Sequence, residues 1–258
     1  MIKCGKMMKP FKTLVEIEHF NVQEMKWDDK RQLVEFQIDE KPFGKGTFRA
    51  AFMANSSHNL FKGKKWVAKK YQKQTVDDLK DLDLDPYQHG RKLVQMHSLA
   101  KNLAESFTRS ITSIKFGTVS YNEVYFGILD GKVITVEEFA SGKFVKYVNN
   151  NGEICKNVDK HGQSKAEAFV HFTYQKSEEK LMVLDIQGCG KTYFDPEIAA
   201  GEHFDDQDEL LFCGGNLSQT AIKNFKHLHQ CNKFCSDLLL TPFKDVDDQA
   251  SEKNTESE

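Results

Sequence analysis

The stretch LMVLDIQGCGKTYFDPEIAA, residues 181–200, decides how the second half of this chain is read. Leu181, Met182, Val183 and Leu184 run straight into Asp185; Gln187 follows, then Gly188 and Gly190, and a second aspartate, Asp195, stands before Pro196. A carboxylate at the end of a buried strand costs free energy unless it is paired, hydrogen-bonded or bound to a metal. Taken alone, Asp185 could simply cap a turn. If the strand continues, Gln187 shares its side, the glycines let the backbone reverse, and Asp195 returns beside them. Two carboxylates and an amide oxygen gathered by one glycine hairpin make a hard oxygen site suited to Mg²⁺.

The rest of the composition frames that site. With 258 residues and 39% hydrophobic content, the chain is globular, with one large domain or two small ones expected. The whole chain carries −2; the tail from Lys244 onward, KDVDDQASEKNTESE, carries −4, so the body carries +2. That is too little positive charge to indicate nucleic acid as a partner. Residues 244–258 read as an acidic, disordered tail. No apolar run approaches the roughly 20 residues that span a bilayer, and MIKCGKMMKPFK has no apolar signal-peptide segment. The expectation is a cytoplasmic protein with no membrane partner. Its six cysteines then read as reduced thiols or metal ligands.

Along the chain, residues 1–30 read as a mixed lead-in, with Leu14, Ile17 and Phe20 loosely spaced. Strands are predicted at LVEFQI (33–38), around the turn in KPFGKGTFRAAF, at WVAKKY (66–71), and at SIKFGTV, VYFGIL and KVITVEEF. Asp77 to Asp85 reads as an acidic connector, and residues 91–107 as a helix carrying Leu93, Met96, Ala100, Leu103 and Phe107. At Ala140 the composition changes: ASGKFVKYVNNNGEI reads as a linker or long loop. Helices are predicted at 164–175 and through LSQTAIKNFKHLHQC. The pattern is two-lobed α+β, with a cleft expected between lobes.

Two further constellations could carry chemistry. Gly44 and Gly46 would let the backbone approach phosphates, with Lys45 or Arg49 meeting anionic oxygens, although most such turns are ordinary hairpins and no Walker ending is present. Lys69, in an apolar strand one strand later, matches the lysine by which kinases hold nucleotide phosphates. Strand alternation does not decide between Lys69 and Lys70. Near the end, helical spacing would join His227, Cys231 and Cys235 as Zn²⁺ ligands. His229 enters the set only if the helix breaks near Gln230, and His171 is a candidate fourth ligand.

These residues resemble the alpha-kinases, the atypical protein kinases that include the elongation factor 2 kinases and the myosin heavy chain kinases. The resemblance runs from about residue 20 to residue 243 through PFGKGTFRAAF, WVAKKY, VQMHSLAKNLAESF, TVEEFASGKFVKYVNNNG, HFTYQKSEEKLMVLDIQGCGKTYFDP and CGGNLSQTAIKNFKHLHQCNKFC. It implies a two-lobed, protein-kinase-like α+β fold with a structural zinc in the C-terminal lobe. A lead-in (1–20) would be followed by the catalytic domain (21–243), with an N-lobe to about 136, a hinge at 137–143 and a C-lobe at 144–243. The implied activity is ATP-dependent serine/threonine protein phosphorylation with Mg²⁺.

The resemblance makes Lys69 the phosphate-binding lysine and Glu137 the hinge glutamate near the adenine. Asp185 and Gln187 become the DxQ pair, and Asp195 the DP aspartate. The roles of Asp185 and Asp195 are partly exchangeable. It also makes His171, His229, Cys231 and Cys235 the zinc ligands, in place of His227. CGGNLS becomes a glycine-rich substrate loop. Two positions depart from the family: Arg91 stands where an acid is usual, and Ser218 where the asparagine loop normally closes on glycine. Those departures keep open a non-catalytic protein-binding module as the alternative. The implied partners are protein substrates such as elongation factor 2 or myosin heavy chain. Calmodulin is a further candidate, through Met1, Met7, Met8 and Phe11 among lysines.

Overall fold

The computed structural model describes residues 12–111, 117–202, 212 and 217–243. The calmodulin-like residues Met1 to Phe11, most of CGGNLS and the acidic tail lie outside them. The chain divides into two compact units, one running up to Ser98 and including Asn122–Phe139, the other comprising Leu99–Tyr121 and Ala140 onward. Residues 99–121, expected within the N-lobe, therefore belong with the second unit. Among the described residues no helix is long and apolar enough to cross a membrane.

The first unit is an antiparallel sheet that curls until its ends meet. In chain order it contributes β1 (Lys12–Glu18), β2 (Phe20–Asn21), β3 (Lys26–Trp27), β4 (Gln32–Ile38), β5 (Gly44–Lys45), β6 (Arg49–Asn55) and β7 (Trp66–Tyr71). Next come the helices α1 (Lys73–Asp81) and α2 (Pro86–Ser110). After β8 (Ser120–Tyr121), which belongs to the second unit, it adds β9 (Val124–Leu129) and β10 (Lys132–Glu138). The sheet order is β4-β1-β9-β10-β7-β6-β5, and β4 also pairs with β6 through Gln37↔Asn55 and Ile38↔Ala54. That extra pairing occupies strand edges that would otherwise be free to recruit another chain.

Alternation turns Val15, Ile17, Val34, Phe36, Trp66, Ala68, Ile134 and Val136 into a common core. Phe61, from the connection between β6 and β7, fills its centre. Its ring lies 4.9 Å from Phe36, 4.8 Å from Trp66 and 5.0 Å from Tyr125.

Two sequence expectations need correction here. Residues 12–18 are no lead-in, because β1 sits between β4 and β9 with Val15 and Ile17 inward and Leu14 exposed. The acidic segment after Lys73 is not a loop at its start. It forms α1 because Thr75 and Leu79 are buried on one side, with Thr75 Oγ1 donating to the Phe48 carbonyl at 2.8 Å while the aspartates face solvent.

Arg91 also finds its reason. It sits on α2, 3.2 Å from the buried Glu18 carboxylate, with its guanidinium 4.2 Å above the Trp27 ring. Glu18 further receives Arg31 Nε at 2.6 Å and the Tyr87 hydroxyl at 3.1 Å. A cation in place of an acid thus ties α2 to β1.

The second unit holds β8, β11 (Phe144–Lys146), α3 (Lys160–Lys176), β12 (Leu181–Leu184), β13 (Gln187–Cys189), β14 (Thr192–Tyr193), β15 (Glu197–Ala200), α4 (Ser218–Leu228) and α5 (Lys233–Asp237). One sheet runs β11-β13-β14-β8, with β14 and β8 parallel, and β12 pairs separately with β15. The last turns of α2 pack here, with Phe107 5.4 Å from both Phe169 and Phe172. Helix α3 is buried almost continuously from Ala166 to Tyr174, which accounts for its apolar residues having no single preferred face. Of SIKFGTV, residues 113–116 lie outside the description, and Gly117 to Val119 form no strand.

Phe61→Ala is expected to remove about 3–5 kcal/mol of unfolding free energy. Urea titration of the full chain measures it.

Candidate functional site

In the first unit the sheet brings Lys69, Arg49 and Glu137 together. Lys69 on β7 faces Thr135 across the ladder to β10, and the diagonal neighbour Glu137 reaches back to it. Lys69 Nζ lies 2.7 Å from one Glu137 oxygen; Arg49 lies 3.4 Å from the other, which also accepts the Thr135 hydroxyl at 2.7 Å. These three ionic side chains are largely shielded from water. Such a pair holds together because removing either partner strands a charge. Lys70 instead lies over the Phe52 ring at 4.7 Å, so Lys69 is the lysine of the cluster. The Glu137 carboxylate, expected near an adenine, is committed to two cations and a hydroxyl.

The glycine turn between β5 and β6 is a hairpin, closed by Gly46 N–H to the Arg49 carbonyl at 2.9 Å. Gln72 Nε2 pins it from outside, donating to the carbonyls of Gly46 (2.8 Å) and Thr47 (3.1 Å). A side chain at Gly44 would meet nothing within 4 Å, so the backbone there is open to approach.

In the second unit, the stretch that opened the problem forms a compact acidic site. Asp185 follows β12 directly at φ 54°, and Asp195 adopts φ 50°. Left-handed backbone is uncommon for residues with a side chain, and aspartate and asparagine accept it best. Gln187 Nε2 donates to Asp185 Oδ2 at 2.9 Å and to the Asp195 carbonyl at 3.3 Å. Its amide oxygen therefore points away from both. The Asp185 carboxylate meets Lys146 Nζ at 2.6 Å. Burial pushes the Asp185 carboxyl above its ordinary range; Lys146 pulls it back, Asp195 adds to the rise, and the Asn150 main-chain N–H opposes it.

Lys146 was not anticipated, because its segment read as a linker. That reading is corrected: β11 pairs with β13 so that Lys146 stands opposite Gln187. The asparagine run beyond it folds into a tight turn, with Asn149 N–H bonded to the Glu153 carbonyl at 2.8 Å and Gly152 N–H to the Asn149 carbonyl at 3.1 Å. Gly152, at φ 82°, is required because a Cβ would collide with the α4 backbone at Ala221 and Phe225. The one sequence signal for Lys146 is the short run of β-branched and aromatic residues around it, Phe144, Val145, Tyr147 and Val148.

A third group gathers soft donors in the same unit. The ligand atoms of His171, His229, Cys231 and Cys235 all lie within 4.8 Å of one another. Helix α4 ends at Leu228 and His229 is extended (φ −76°, ψ 129°), which carries His229 inward and leaves His227 exposed. Helical spacing from His227 therefore does not define this cluster. Cys231 Sγ is 3.7 Å from His171 Nδ1, and Cys235 Sγ is 3.5 Å from His229 Nε2. Tetrahedral Zn²⁺ with bonds of about 2.3 Å to sulfur and 2.0–2.1 Å to nitrogen requires S···N near 3.6 Å. The donor set fits.

Burial, reinforced by His229, lowers the His171 imidazole to about 4, so it is neutral as a metal ligand must be. Burial raises the Cys235 thiol to about 12, so without a cation it keeps its proton.

Ser218, standing where the family closes on glycine, has φ 48° and donates its hydroxyl to the Gly201 carbonyl at 3.3 Å. The left-handed turn is thus kept by a residue that supplies its own hydrogen bond.

Comparison with known proteins agrees with this fold. The family model described as the Alpha-kinase family matches residues 44–235, and the chain belongs to that family. Over 233 residues it is 28% identical to human eukaryotic elongation factor 2 kinase, covering 87% of this chain and 29% of that protein. It is 32% identical over 201 residues to alpha-protein kinase 1 of Dictyostelium discoideum, covering 78% of this chain and 14% of that one. The chain thus spans less than a third of these relatives' lengths. The alpha-kinase domain of myosin heavy chain kinase A, solved with ADP, superposes with a TM-score of 0.75 at 22% identity, covering 92% of this chain and 100% of that one. The fold is the α+β alpha-kinase domain fold.

Two glycines in the acidic hairpin carry different constraints. A Cβ at Gly188 would strike the Thr192 carbonyl and lie 2.8 Å from Tyr193 Cα, whereas Gly190, at φ 62°, has open space. Gly188→Ala is expected to cost about 3 kcal/mol and Gly190→Ala about 1–2 kcal/mol, compared by denaturant midpoints.

Proposed function

We propose that this chain is an ATP-dependent serine/threonine protein kinase that moves the γ-phosphoryl group of ATP to a protein hydroxyl. The observation that carries this reading is the Asp185–Lys146 ion pair, built onto the hairpin that holds Gln187 and Asp195. Membership of the alpha-kinase family supports it, as does the ADP complex of a domain with the same fold. Proteins like those in the relatives' names, elongation factor 2 and myosin heavy chain, are the proposed acceptors.

Asp185 takes the proton of the attacking hydroxyl while that oxygen bonds to the γ-phosphorus. The bond to the β–γ bridging oxygen breaks, and ADP departs. Lys146 fixes the direction of the Asp185 carboxylate and keeps it ionised against burial. Lys69 and Arg49 bind phosphate oxygens, and Glu137 holds both cations in place. Because that carboxylate is engaged, main-chain groups near Glu137 recognise the adenine. The Gly44–Gly46 turn covers the phosphates. Asp195 would hold Mg²⁺ together with Gln187 once the Gln187 amide turns its oxygen, in place of Nε2, toward Asp195; when bound, the ion would neutralise charge on the phosphate oxygens. Transfer of this kind rests on positioning and electrostatics, so a few rigid groups suffice.

His171, His229, Cys231 and Cys235 would hold one structural Zn²⁺. Four protein ligands leave no position for water or substrate, so this metal staples the unit. The alternative, a binding module without turnover, rests on Arg91 and Ser218. Both have structural partners here, Glu18 and Gly201, that require no loss of the acidic site.

Asp185→Ala is expected to abolish Mg²⁺-dependent transfer of labelled phosphate from ATP to a basic protein, with unchanged zinc content and circular dichroism. Undiminished labelling would refute the assignment. Lys146→Met removes the group that lowers the Asp185 pKa, so the base loses its proton only at higher pH. The acid limb of kcat against pH is expected to move upward, with activity partly regained by raising pH.

A further inference from the structure

The metal cluster is not closed by its four ligands alone. A main-chain carbonyl can only accept, so the 3.0 Å contact between His171 Nε2 and the Thr241 carbonyl puts the imidazole proton on Nε2. That leaves Nδ1, the atom facing Cys231, with its lone pair free. On the other histidine the Glu167 carboxylate lies 3.0 Å from Nδ1, which puts the proton there and frees Nε2 toward Cys235. The two rings therefore present opposite nitrogens, each set by its own acceptor.

The acceptor for His171 comes from chain that follows the last ligand by several residues. After α5 the backbone turns at Leu239 (φ 55°) and runs back across the cluster. Thr241 N–H donates to Gln175 Oε1 on α3 at 3.0 Å. Phe243 lies against the His171 ring at 4.1 Å between centroids, and also faces His229 (5.9 Å), Tyr174 (5.9 Å) and Phe225 (6.4 Å). Lys226 Nζ lies over the Phe243 ring at 5.3 Å.

The geometry points to residues 240–243 as a strap that positions His171 for the metal, so that metal retention depends on the strap being seated. This rests on the zinc reading above. The strap touches no metal: Thr241 fixes the tautomer, Phe243 fixes the ring plane, and Gln175 fixes Thr241. Outer partners of this kind change metal affinity by about 10–100-fold when lost.

The test uses the full chain. Zinc content is measured first, followed by zinc release to a chromophoric chelator. Gln175→Ala and Phe243→Ala are expected to release zinc about 10–100-fold faster than the parent. Leu14→Ala, at an exposed position in the first unit, should match the parent, and Phe243→Tyr should keep release slow by keeping the ring. Cobalt substituted for zinc should show altered visible bands in the two weakened variants, a change that general loosening elsewhere in the fold would not give. If Phe243→Ala does not fold, Gln175→Ala decides. Parent-like release and cobalt spectra in the folded variants overturn the strap. A parent chain that neither contains nor takes up zinc overturns the zinc reading, and the strap with it.

Discussion

A carboxylate that must stay ionised while withdrawn from water sets the terms for the second unit. Asp185 can do so because Lys146 is held against it, and Lys146 is there because β11 pairs with β13. That pairing continues into β14 only because Gly188 admits the neighbouring strand. The asparagine turn that follows Lys146 is in turn packed under α4 through Gly152. Together these pairings keep the Asp185 charge matched, since an unpaired buried carboxylate is costly.

The first unit solves the same problem differently. Its charged group, Lys69, lies on the face of β7 opposite the buried Trp66 and Ala68, and its counter-charge comes from the adjacent strand. Closure of the sheet through β4 and β6 gives Lys69, Arg49 and Glu137 a frame in which neighbouring strands cannot slide. A slip of a single residue would turn every inward side chain outward.

Much of this was legible in the sequence. β7, β9 and β10 could be read because short runs of branched and aromatic residues are bounded by glycine or charge. The opening stretch was legible because an aspartate after four apolar residues demands an explanation. β1 was harder to read, since only Val15 and Ile17, alternating with Glu16 and Glu18, mark its inward face. α1 was hidden by its exposed aspartates, which outnumber its two buried residues. Lys146 looked like a surface lysine in a glycine- and asparagine-rich linker. The Lys69–Glu137 pair joins positions far apart in the chain, and no local pattern encodes such a distance. His229 rather than His227 became clear only where α4 stops, because spacing along an unbroken helix favours the other histidine.

The left-handed backbone at Asp185 and Asp195 narrows what evolution can do there. Most side chains would strain the turn, but asparagine sits in it comfortably and lies a single-nucleotide change away. Such a change would keep the turn while removing, at Asp185, the charge that Lys146 faces. The backbone at these two turns therefore tolerates aspartate and asparagine alike, and the charge there is set by something other than the shape of the chain.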